Sequence, residues 1–259
     1  MKKKLTFLGT GGSVGVPVIG CPCAVCHSSE PVNQRLRPSV LLRIAQQQFL
    51  IDVGPDFRMQ ALRHGIMTLD GILLTHAHYD HTAGMDDLRP LYFRRKSSLP
   101  VLLSTETAQD LQVRYHYLFQ PNPGQEHFNP RFHLHLLPER AGQIVFQDLP
   151  FQYVTYKQGG MSVNGYRIGD LAYLSDIKYF SSSIFEQLNG VKYLIISALR
   201  YTFSPLHFSV DEAIDFAKAL KAERVWLTHI SHELEHHQTN AYLPANMCLA
   251  YDGLEIEFE

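Results

Sequence analysis

Three imidazoles and a carboxylate fall within six residues at His76-Ala77-His78-Tyr79-Asp80-His81, directly after an apolar run. This H-x-H-x-D-H string offers nitrogen and oxygen donors and no thiolate, a set that suits Zn(II), Mn(II) or Fe(II). Four ligand side chains that are costly to bury coincide at one spacing, which argues against a merely solvated turn. Cys21, Cys23 and Cys26 form a second group. The basic start Met1-Lys2-Lys3-Lys4 leads into an apolar run too short for a secretion signal, so a cytoplasmic location is expected and the thiols read as a metal site rather than a disulfide framework.

Rigid strand ends suit such ligands. Phe49-Leu50-Ile51 runs into Asp52, Ile72-Leu73-Leu74-Thr75 into His76, Tyr173-Leu174-Ser175 into Asp176, and Val225-Trp226-Leu227-Thr228 into His229. Four apolar strands each ending on an Asp or His suggest one rim of a sheet collecting ligands. Composition and punctuation predict strands over 4–8, 39–44, 48–52, 71–75, 100–103, 151–156, 165–168, 171–175, 192–197, 224–228 and 254–258. Helices are expected over 56–64, closed by Gly65, and over 210–221, where Ser209 and Glu212 form an S-x-x-E capping box. No repeat, low-complexity tract or linker divides the chain, so one domain spanning 1–259 is expected, with a cysteine loop at 20–27.

Composition narrows the classes further. With 45% apolar and 19% charged residues the chain can bury a substantial core, which excludes a disordered or fibrous protein. A formal charge of −2 supplies no global attraction to nucleic acid or an anionic membrane, and no apolar stretch approaches the length of a membrane span. Gly9, Gly11, Gly12 and Gly15 are not a nucleotide cradle, since no Gly-Lys-Ser/Thr follows and Pro17 interrupts the helix such a loop requires. Arg89, Arg94, Arg95 and Lys96 read as a solvated basic face, His127, His133 and His135 as ordinary surface or packing residues ahead of a separate strand, and Cys248 as a small buried hydrophobe.

The H-x-H-x-D-H string, the Phe7-Leu8-Gly9-Thr10-Gly11-Gly12 opening, Asp176 and His229 together resemble the metallo-β-lactamase superfamily. Cys21-Pro22-Cys23-x-x-Cys26 and Leu227-Thr228-His229-Ile230-Ser231-His232 are similar to the PhnP-type phosphoribosyl cyclic phosphodiesterases within it. The resemblance implies an α/β fold of four layers, an αβ/βα sandwich, with two metals at one edge of the paired sheets. It assigns His76 and His78 to the first metal, Asp80, His81 and His229 to the second, and Asp176 to both. Two such ions roughly 3.5–4 Å apart polarise a phosphoryl oxygen and draw a nucleophile from water. Asp52 is expected to orient a histidine ligand from behind. Asp80 and His207 are the catalytic candidates; His207, ahead of the 210–221 helix, matches the histidine that protonates the leaving oxygen in the phosphodiesterase branches. His232 completes Cys21, Cys23 and Cys26 as a structural Zn(II) site.

One position departs from the family pattern. Where the first metal ordinarily receives a third histidine, ahead of the Gly165-Tyr166-Arg167 strand, the sequence has Gln158. An amide oxygen is a weaker ligand than an imidazole, so one or two Zn(II) or Mn(II) ions, with Fe(II) a further option, are expected at the catalytic site. The expected function is hydrolysis of a small cyclic or nucleotide-like phosphodiester. Two alternatives stand beside it: a thioesterase or other hydrolase of the same fold, and a catalytically impaired metal-binding module. The expected partner is a small-molecule substrate, with no stable nucleic-acid partner and no membrane; the resemblance allows a homodimer.

Overall fold

The computed structural model describes residues 3–120 and 131–259, and His127 lies outside them. Fourteen strands among the described residues build two seven-stranded sheets. The first comprises β1 (Lys3–Gly9), β2 (Ser39–Ile44), β3 (Gln47–Ile51), β4 (Gly71–Leu73), β5 (Leu99–Leu103), β6 (Phe132–Leu136) and β14 (Glu255–Phe258), in the order β14-β1-β2-β3-β4-β5-β6. The second comprises β7 (Ala141–Phe146), β8 (Leu149–Gln158), β9 (Met161–Ile168), β10 (Leu171–Leu174), β11 (Tyr193–Ser197), β12 (Arg224–Thr228) and β13 (Met247–Leu249), in the order β13-β12-β11-β10-β9-β8-β7.

Each sheet joins an antiparallel part to a parallel part. Strands β3 to β6 and β10 to β13 pair in parallel, so their carboxyl ends share one edge of each sheet. That edge is where open α/β sheets hold ligands.

Side-chain alternation sorts the interior into layers. Phe49, Ile51, Leu73, Ile195 and Trp226 face the core between the sheets, along with Phe7, Tyr153, Tyr166 and Tyr173. Their neighbours Leu50, Ile72 and Leu74 point outward under α1 (Phe57–Arg63), α3 (Arg89–Arg95) and α4 (Thr105–Arg114). Across the sandwich, Leu194, Ile196, Val225 and Leu227 point outward under α6 (Ile184–Gln187) and α7 (Val210–Leu220). Central strands buried on both faces read as continuous apolar runs, which is why they were legible. The result is the αβ/βα sandwich.

The capping box on α7 forms as expected: the Glu212 amide donates to Ser209 Oγ, and the Ser209 amide donates to a Glu212 carboxylate oxygen. Other elements escaped the sequence reading. His133 and His135 do not precede a strand but lie within β6, where the His135 ring meets Phe146 edge-on. Strands β7 and β13 were not anticipated, nor were α2 (Tyr79–Thr82), α3, α4, α5 (His116–Phe119), α6 and α8 (His236–Tyr242). Most of these are only a turn or two of helix, too short for a readable period, and α4 buries only Thr107, Ala108 and Leu111.

Candidate metal centre

The expected strand-end ligands sit where the chain leaves the sheets. Asp52, Asp176 and His229 all take left-handed backbone conformations, with φ of 63°, 55° and 57°. A non-glycine residue pays for this conformation in backbone strain, although Asp and His tolerate it better than most. Turning the chain sharply here directs each side chain across the sheet edge instead of along the strand.

The resulting spacings have the scale of a coordination shell. His76 Nε2 lies 3.0 Å from His78 Nδ1 and 3.5 Å from Asp176 Oδ2. On the other side of Asp176, its Oδ1 lies 3.1 Å from His229 Nε2 and 3.6 Å from His81 Nε2. Asp80 Oδ2 closes that second group at 3.3 Å from His229 Nε2 and 3.4 Å from His81 Nε2. With metal–ligand bonds of about 2.0–2.2 Å, neighbouring donors of a tetrahedral ion stand roughly 3.3–3.6 Å apart. The donors fall into His76, His78 and Asp176 in one group and Asp80, His81 and His229 in another, with Asp176, His207 and His229 as a third, overlapping set, and Asp176 turns one oxygen to each of the first two. His81 Nε2 is buried without a hydrogen-bond partner, as expected of an atom reserved for an ion. The residues fit a divalent metal pair.

The electrostatics agree. Against the penalty of burial, His229 and His81 hold the Asp176 carboxylate well below the usual range. Burial opposes a charged His81, yet Asp80, Asp176 and Asp52 together hold it well above the ordinary imidazole range. Burial and then His81 push His76 in the opposite direction, well down. A cluster of carboxylates this tightly surrounded by imidazoles is built around positive charge.

Behind the donor groups, Asp52 Oδ2 lies 2.7 Å from His81 Nδ1. The sequence reading missed its partner Thr75. The Thr75 amide and hydroxyl both donate to Asp52 at 2.8 Å, and the hydroxyl oxygen lies 2.9 Å from His76 Nδ1. One Asp–Thr unit thus backs a histidine of each group. The signal was present in the Thr75-His76 adjacency, but the contact to Asp52 comes from the β3–β4 pairing. Asn164 and Tyr166 on β9 fasten this corner to the other sheet: the Asn164 amide donates to Thr75 O at 2.9 Å and the Tyr166 hydroxyl to Leu74 O at 2.7 Å. On the outer side, the guanidinium of Arg114, at the end of α4, donates to the carbonyl of Ala77, between the two histidines of the first group.

Gln158 stands at the missing histidine's place. It is buried, its Nε2 lies 2.9 Å from Asp176 Oδ2, and its Oε1 has no partner. The same Nε2 lies 3.1 Å from His207 Nε2. His207 stacks on His229, with ring centroids 4.8 Å apart and an interplanar angle of 22°. Burial, and then His229, push it down to about 4.

The thiols form a separate cluster. Sγ of both Cys21 and Cys23 lies 3.3 Å from His232 Nδ1, and Cys26 completes the group. The Cys26 amide, which donates to Cys23 Sγ, holds the Cys23 thiol down at about 6, with His232 adding to the effect. Burial pushes Cys26 up. The glycine loop is tied to the same segment, with the Gly12 amide donating to Ile230 O and the Ile230 amide to Thr10 O. Cys248 is half-buried beside the inter-sheet core.

A model described as a beta-lactamase superfamily domain matches residues 47–230. The fold superposes with a TM-score of 0.91 on the crystal structure of a diphosphatase from the PhnP family, 41% identical and covering 100% of this chain and 98% of that one. Zinc-bound PqqB from Methylobacterium extorquens shares the fold at 16% identity, with a TM-score of 0.76 over 98% of this chain and 100% of that one. Among curated relatives, an octanoyltransferase of Porphyromonas gingivalis is 38% identical over 96% of this chain but only 50% of its own length. A ribonuclease Z of Bradyrhizobium diazoefficiens is 38% identical over 36% of this chain and 27% of its own. The chain thus spans about half or less of the length of these curated relatives. By the superfamily domain it matches and by its likeness to the diphosphatase, the chain belongs to the metallo-β-lactamase superfamily and, within it, to the PhnP family of hydrolases.

Proposed function

We propose that the protein is a metal-dependent phosphodiesterase that cleaves a small phosphodiester or diphosphate linkage, as one catalytic domain with the cysteine loop at 20–27. The observation that carries this reading is Asp176, which presents one oxygen to each of two donor groups. In it, His76, His78 and Asp176 hold a first divalent ion, and Asp176, Asp80, His81 and His229 a second. The ions are Zn(II), Mn(II) or Fe(II), and their chemistry is polarisation of a phosphoryl oxygen and activation of water. Cys21, Cys23, Cys26 and His232 hold a structural Zn(II).

The chain's own residues divide the remaining work. Asp52 and Thr75 fix the rings of His81 and His76 so that each Nε2 faces inward. Asp80 anchors the second group and stays ionised: burial opposes this, but His81 and His229 more than offset it. His207 is placed to protonate the leaving oxygen. Burial and then His229 lower His207 to about 4, and the negative charge of an arriving phosphate opposes that shift.

A cavity of about 400 Å³ opens beside the His76–His78 turn, lined by Ala77, Glu106, Asp110 and Met161 among others and by none of the metal donors. We infer no stable nucleic-acid partner, since a formal charge of −2 supplies no global attraction to one. No helix among the described residues is long and apolar enough to cross a membrane. We place the protein in the cytoplasm, where three closely spaced thiols stay reduced, and expect no membrane partner.

The test is hydrolysis of bis(p-nitrophenyl) phosphate, a cyclic nucleotide, a dinucleotide pyrophosphate and an acyl thioester, with Zn(II) or Mn(II) present. Cleavage of one of the phosphate substrates, abolished by Asp176→Ala, is the expected result. Cleavage of the thioester alone overturns the phosphodiesterase reading. Gln158 favours a second reading, a metal-binding module without turnover that works through a single ion; it predicts none of the four substrates cleaved even with Zn(II) or Mn(II) in excess.

A further inference from the structure

The two metal positions differ in what the chain contributes to them. The second has two imidazoles, the carboxylate of Asp80 to itself and a share of Asp176. The first has two imidazoles and its share of Asp176, and Gln158 stands where a third strong donor would complete it. No aspartate serves the first position alone, so its negative charge is smaller. Gln158 can add only a neutral amide oxygen. That oxygen is the one polar atom of the side chain without a partner, while the amide nitrogen donates a hydrogen bond to Asp176 Oδ2 at 2.9 Å, which holds the end of the side chain beside the first position. Exchanging the two ends of an amide leaves its shape unchanged, so the same side chain can present oxygen to that position. Carbonyl and carboxylate oxygens suit Mn(II) better than they suit a thiolate- or imidazole-preferring ion.

We infer that the metal centre is unequal by construction: the position of Asp80, His81 and His229 retains its ion, while Gln158 leaves that of His76 and His78 exchangeable and open to Mn(II) from solution. This rests on the two-position reading above.

The experiment counts metal. Zinc-loaded protein is dialysed against metal-free buffer and its zinc measured by mass spectrometry, for the natural chain, Gln158→His, Asp80→Ala and Cys23→Ser, each checked for folding by circular dichroism. The natural chain is expected to retain two zinc ions, one at the cysteine cluster and one at the second position, and Gln158→His to retain three. Electron paramagnetic resonance during Mn(II) titration is expected to show the natural chain taking up one Mn(II) without losing zinc, at least about tenfold more weakly than zinc-depleted Gln158→His does at the same position. Three retained zinc ions in the natural chain overturn the inequality while leaving the two-position centre intact, as does a Gln158→His count equal to the natural one. A single retained ion that Asp80→Ala leaves in place and Cys23→Ser removes overturns the catalytic metal centre itself.

Discussion

Asp52 Oδ2 stands 2.7 Å from Nδ1 of His81, and neither side chain reaches solvent. A carboxylate so placed sets which ring nitrogen of His81 carries the proton and turns the other toward the metal position. Asp52→Asn keeps the shape and removes the charge. The second position is then expected to bind zinc about 10–100-fold more weakly, measured by competition with a chromophoric chelator. Unchanged affinity would falsify the orienting role.

The cysteine cluster predicts an asymmetry in stability. Cys21, Cys23 and Cys26 come from an irregular loop with no regular secondary structure of its own, and His232 follows the last ligand strand. Metal held there would crosslink segments about two hundred residues apart in sequence, which would couple its binding to folding. Cys23→Ser is expected to lower Tm by roughly 4–8 °C, corresponding to about 2 kcal/mol, and Asp80→Ala by less. Differential scanning calorimetry decides it, and an equal or milder loss for Cys23→Ser rules out the structural assignment.

His207 is expected to matter only when the leaving group needs a proton. His207→Gln should lower kcat about 10²–10⁴-fold on an alkyl phosphodiester and much less on bis(p-nitrophenyl) phosphate, whose leaving phenolate is stable unprotonated. KM and zinc content should stay close to those of the natural chain. An equal loss on both substrates, or a loss of zinc, identifies His207 as a ligand instead.

His236 predicts a pH dependence away from the metal centre. Burial and then Arg35, whose guanidinium lies 3.2 Å from its Nδ1, push its pKa from the ordinary 6.5 to about 4. The fold therefore favours neutral His236. Its contribution is fully present above pH 6.5 and is lost as the pH falls toward 4. Between pH 7 and 5 the natural chain is expected to lose about 1–2 kcal/mol more stability than His236→Gln, allowing for its partial solvent screening. Urea unfolding of both proteins at the two pH values measures the difference, and parallel losses refute it.

The chain's local chemistry was largely readable. The ligand string at 76–81, the thiols at 21–26, Asp176, His229 and the capping box at Ser209 and Glu212 are set by residue type and short-range spacing, and the doubly buried strands appear as unbroken apolar runs. Elements with short or weak patterns, such as β6, β7 and α4, were not readable, because half-exposed strands and short helices carry little periodicity. Other features needed the assembled sheets. The division of donors into two groups sharing Asp176, the Thr75–Asp52 pairing and the orphaned oxygen of Gln158 all join residues 18 or more positions apart. Sequence spacing determines which donors are available. Only the parallel strand ends, brought to a common edge and turned outward through left-handed residues, decide which of them fall within coordinating distance of one another.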